Sequence, residues 1–81
     1  MTRALVLEIK GLLSSLLISN KTNLRQRMLK DALDLMEELE LNTKEIEKAL
    51  KSEIDGKIEK VNAIVEKTLE EIDELEYSES E

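Results

Sequence analysis

Two clusters of charge are the residues of this chain best equipped for chemistry. Lys21, Arg25, Arg27 and Lys30 form a basic run with no carboxylate among them, and Glu66 to Glu81 carries eight carboxylates against one lysine. Guanidinium and ammonium groups hold carboxylates, phosphates or a nucleic-acid backbone. Dense carboxylates meet basic surfaces or divalent cations. Both are chemistries of binding. The chain has no His and no Cys, so the commonest general base, the commonest transition-metal ligand and the thiolate nucleophile are all missing. Ser14-Ser15 has no candidate base, and no phosphate-cradling glycine loop, catalytic triad or zinc spacing occurs. The expectation is a non-enzyme with no cofactor and no metal ligands.

The elements that position these charges follow from composition. Of 81 residues, 41% are apolar, almost all aliphatic, with Tyr77 the single aromatic and no proline. This predicts an all-α fold in one domain over residues 1–76, with an acidic flexible tail at 77–81. Residues Ala4 to Ile18 are aliphatic, but the run is too short to span a bilayer and Glu8 and Lys10 interrupt it. The same charges disqualify it as a signal peptide, which leaves a cytoplasmic protein as the expectation.

Polar clusters divide the chain twice. Asn23 with Gln26, and Asn42 with Glu45, have the spacing that satisfies free amides at a helix start. The expected helices cover residues 3–18, 24–40 and 43–76. In the first, Leu5, Ile9, Leu12 and Leu16 form a stripe, Val6, Leu13 and Leu17 widen it, and Ala4, Leu7 and Ile18 occupy the back, so burial nearly all round is expected. The second spreads Leu24, Met28, Leu29, Ala32, Leu33, Leu35, Met36 and Leu39 over half its circumference, enough for two neighbours. In the third, the aliphatic residues from Ile46 to Leu75 share one arc, and Gly56 lies opposite. That phase favours one continuous helix, with Gly56 as its weak point.

A continuous third helix would be about 50 Å long beside partners of about 25 Å, leaving an apolar overhang. Ile54, Ile58, Val61, Val65, Thr68, Ile72 and Leu75 have coiled-coil spacing, and Ile64 and Leu69 widen the seam. The expected assembly is a helical hairpin plus a long coiled-coil helix that self-associates into an oligomeric bundle. Its interface would be Ile54, Ile58, Val61, Ile64, Val65, Leu69, Ile72 and Leu75. A dimer or tetramer is expected, and antiparallel pairing is favoured because Glu71 would meet Glu76 in a parallel one.

The basic run sits at the start of helix two, where the helix dipole prefers carboxylates. Arg25 also falls within the apolar arc, which directs it toward a buried or intersubunit carboxylate. As a set, Lys21, Arg25, Arg27 and Lys30 are candidate contacts for an anion or an acidic partner. Glu66, Glu70, Glu71, Asp73 and Glu74 are candidate contacts for a basic partner. Glu70-Glu71-Ile72-Asp73-Glu74, with Glu37-Glu38, resembles the helical carboxylates with which the all-α nucleotide pyrophosphatases hold magnesium. The resemblance covers two patches, implies a magnesium-dependent hydrolase, and requires carboxylates that converge on one interior point. Three functions are thus ordered: a protein-binding adaptor, assembly factor, regulator or inhibitor; a nucleic-acid-linked regulator or acidic nucleic-acid mimic; and last such a hydrolase. No membrane or small-molecule substrate is expected.

Overall fold

Gly56 decides the architecture. A computed structural model describes the backbone of residues 2–79 and the side chains of residues 3–75, and in it Gly56 has φ +81°. The Gly56 amide donates to the Glu53 carbonyl at 3.1 Å and the Lys57 amide donates to the Ser52 carbonyl at 2.8 Å. This pair of bonds closes a helix through a residue in the left-handed region, which glycine enters without a Cβ clash. The expected helix over 43–76 is therefore two helices, and among the described residues the chain forms four: α1 Thr2–Ile18, α2 Thr22–Glu38, α3 Lys44–Ile54 and α4 Ile58–Glu79.

The end of α2 uses the same device without glycine. Glu40 has φ +59°, its amide donates to the Glu37 carbonyl at 3.0 Å, and the Leu41 amide donates to the Met36 carbonyl at 2.9 Å. Leu41 packs against the core, the apolar contact that commonly accompanies this motif and here holds a non-glycine residue in an unfavourable conformation. The expected cap at Asn42 is shifted by one residue: the cap position of α3 is Thr43, which makes no side-chain cap bond. The Lys44 amide donates to Asn42 Oδ1 at 3.0 Å, and the Thr43 hydroxyl donates to Glu47 Oε2 at 2.7 Å. The expected cap at Asn23 does not form: α2 begins two residues earlier, and Lys21, at the cap position, makes no side-chain cap bond.

Short connections alternate the helix directions, and the bundle closes as a ring, with α1 against α2, α2 against α3, α3 against α4 and α4 against α1. Its extents are 39 × 21 × 19 Å. The core is aliphatic, with Ile9, Leu13, Leu16, Leu29, Ala32, Ile46, Ala49, Val61 and Val65 fully buried. Thr68, also buried, donates its hydroxyl to the Ile64 carbonyl one turn back at 2.9 Å, so the one polar position of the stripe is satisfied within its own helix.

Three expectations are corrected by this closure. No third helix overhangs its partners, because α4 folds back onto α1 and α3, so the expected apolar overhang that would call for a second chain does not exist. The first helix is not buried all round: Val6, Ile9, Leu13 and Leu16 face inward, while Leu7 and Ile18 are exposed. Residues 77–79, expected in a flexible tail, belong to α4, and Ser80 and Glu81 lie outside the described residues. None of the described helices is long and apolar enough to cross a membrane.

Candidate interaction surface

Arg25 occupies the centre of one end of the bundle. It is 1% exposed, and its guanidinium joins all four helices. Nε donates to Glu53 Oε1 at 2.9 Å, and Nη2 donates to Asn62 Oδ1 at 2.8 Å. Nη1 donates to the carbonyls of Leu16 at 2.8 Å and Ser19 at 3.0 Å. The last two acceptors are carbonyls at the C-terminal end of α1, the negative pole of that helix dipole. Arg25 is thus placed against the dipole of α2 because it caps α1. It pairs with a carboxylate inside the chain, and being buried it presents nothing to an outside anion. Glu53 Oε2 is buried without a hydrogen-bond partner, so the pair is held by one carboxylate oxygen.

Glu53 and Asn62 were not singled out from the sequence, although Glu53 carried the same mark as Arg25. It stands four residues after Ala49 and seven after Ile46, on the inward face of α3. A charge on an apolar stripe is a signal for a buried partner.

The network also shows that both hairpin turns, 19–21 and 55–57, lie at the same end of the bundle. Around them Ile18 is 89% exposed and Ile54 62%, with Leu24 and Ile58 less so. Lys21, Arg27, Lys57 and Lys60 are exposed at the same end, and Lys30 lies exposed farther along α2. Of the basic run, three members therefore remain accessible and one does not.

The seam expected on the third helix is divided by the fold. Val61, Val65 and Ile72 are buried in the chain's own core, and Ile64 and Leu69 are partly buried against it. Ile54, Ile58 and Leu75 are left exposed. The stripe is real, but its complement is supplied by α1, α2 and α3 of the same chain.

Charge is segregated along the bundle. Among the residues whose side chains are described, the half containing the two hairpin turns, residues 11–30 and 50–65, has seven Lys and Arg against three Asp and Glu; the other half, residues 3–10, 31–49 and 66–75, has five against thirteen. Glu66, Glu70, Glu71, Asp73 and Glu74 are exposed on α4. Asp73 pairs with Lys10 of α1 at 2.6 Å. No three acidic residues among those described converge to hold a metal ion, so the carboxylates that resemble a magnesium set are spread over the helix surface.

A groove opens in this acidic half. It is about 560 Å³ in volume, and runs between Met36, Leu41, Asn42 and Glu45 on one side and α4 from Lys67 to Leu75 on the other. Comparison of the chain with family models, with curated proteins and with solved structures finds no match.

Proposed function

We propose that this chain is a non-catalytic protein-binding module that receives an acidic partner surface on the end of the bundle bearing Ile18, Leu24, Ile54 and Ile58. One observation supports the reading above others: four large aliphatic side chains lie exposed at one end, among Lys21, Arg27, Lys57 and Lys60. Contiguous exposed aliphatic surface rimmed by charge marks interaction sites, and these four side chains at one end are the candidates for such a surface here. A partner with an apolar centre and a carboxylate rim complements both features, and the charges would set its orientation and association rate.

Nucleic acid is the second reading, since Lys21, Arg27 and Lys30 suit phosphates. The aliphatic residues weigh against it. Isoleucine does nothing for a phosphate, and the end has no aromatic side chain on which a base could stack.

The experiment is recovery of the native protein from its own cells, followed by identification of what co-purifies. Three forms are compared: wild type, Ile18→Asp with Ile54→Asp, and a charge reversal at Glu70, Glu71 and Glu74. The reading expects a protein species that survives nuclease, persists with the acidic reversal and is lost with the double Asp variant. Retention of nucleic acid that the apolar substitutions leave untouched would overturn it in favour of the second reading.

A further inference from the structure

We infer that the groove in the acidic half is a second binding site, and that its occupant is the basic, apolar end of another copy of this chain. The groove has a definite origin in helix lengths. α2 has seventeen residues and α4 twenty-two, but α3 has eleven, about 16 Å against 25 Å and 33 Å. The fourth position of the bundle is therefore left open beside the C-terminal half of α4. Met36, Leu41, Ile72 and Leu75 give it an apolar lining, and Leu75 is half exposed. Its charged residues are Glu45, Glu71 and Glu74 against a single Lys67.

Charge complementarity selects the occupant. The groove lies in the half with thirteen described acidic residues to five basic ones, and the opposite half of the same molecule has seven basic to three acidic. The basic end also projects what an apolar groove accepts, with Ile18 and Ile54 the most exposed large aliphatic residues described. A second copy supplies both features, whatever other proteins the basic end also meets. Knob and groove lie at opposite ends of a bundle 39 Å long, so docking is head to tail. Such a contact leaves one free groove and one free end on every assembly, which grows with concentration until it closes into a ring. The inference rests on the reading that the basic end is a binding end.

The test is mass measured by light scattering over a concentration series at about 0.01 M and about 1 M salt, where the screening length falls from about 30 Å to about 3 Å. At low salt the native chain should rise past twice its 9.3 kDa mass, and at high salt it should return toward one chain. Leu75→Arg disables the groove; Glu71→Lys is a second groove variant at an exposed position. Lys21→Glu with Arg27→Glu disables the end. Each variant alone should stay at 9.3 kDa with native helicity. Mixed in equal amounts, a groove variant and the end variant should pair and stop at one of each, because only one contact can form. A native chain that remains monomeric at low salt throughout would overturn the inference. So would a discrete dimer that persists in Leu75→Arg, or a mixture that does not pair. If the chain is monomeric and the co-purifying protein is still lost with Ile18→Asp and Ile54→Asp, only the second-copy inference fails.

Discussion

Arg25 Nε lies 2.9 Å from Glu53 Oε1, with both side chains essentially out of solvent and 28 residues apart in the chain. Each residue opposes the dipole of its own helix: Arg25 stands in the first turns of α2 and Glu53 in the last turn of α3. Each is the other's compensation. Neither helix would choose its residue locally, so the contact ties the two hairpins, α1–α2 and α3–α4, into one arrangement.

Arg25→Gln should therefore destabilise the protein by about 3–5 kcal/mol, since it leaves Glu53 buried and unpaired. Arg27→Gln, at an exposed position, should change stability by no more than about 0.5 kcal/mol. Thermal melts at low and high salt distinguish them, and the Arg25 effect should persist at high salt because a buried pair is weakly screened. Arg25→Met combined with Glu53→Leu should recover part of the loss. Recovery should be incomplete, because the Leu16 and Ser19 carbonyls would still lack their donor.

The left-handed residues give a pair of opposite predictions. Gly56→Ala should destabilise by about 1 kcal/mol, because a Cβ is strained at φ +81° even though open space surrounds it. Glu40→Gly, at φ +59°, should stabilise by about 0.5–1 kcal/mol by relieving the same strain. Chemical denaturation of the two variants checks both signs at once.

Substitutions along the stripe should divide by burial. Val65→Asp places a charge in a fully buried site and should unfold the chain rather than dissociate an oligomer. Ile54→Asp, at an exposed site, should leave the far-ultraviolet circular dichroism unchanged. Unfolding by both would mean that the exposed end is part of the core.

The helical class and much of the inward face of each helix were legible in periodicity, which depends only on neighbours along one helix; the start of α2 was not, because Asn23 had the spacing of a cap without serving as one. The break at Gly56 was not. Ile54 and Ile58 flank it in phase with the stripe, and a three-residue turn that returns the next helix to the same core preserves the apolar phase. Asp55-Gly56 was the local signal, and it lost to a pattern that two antiparallel helices around one core also satisfy. Arg25 was legible as a charge in an apolar arc. Glu53 was obscured by the many exposed glutamates on the same chain, and Asn62 carries no charge to mark it. The groove was illegible for another reason. It depends on α3 being shorter than its neighbours, which could be seen only once the break was known.

The fold-back at Gly56 directs the inward-facing aliphatic residues from Ile46 to Ile72 into the chain's own core. It is tested most directly by a distance between spin labels at Glu45→Cys and Glu71→Cys, measured with labelled chain diluted into unlabelled chain. These residues line one groove in the folded-back bundle, so the account predicts a short separation, about 20 Å or less with the label arms included, given interaxial distances of about 8–10 Å. A single helix through Gly56 would hold them about 39 Å apart, at 1.5 Å per residue, and a distribution centred there would rule out the folded-back bundle.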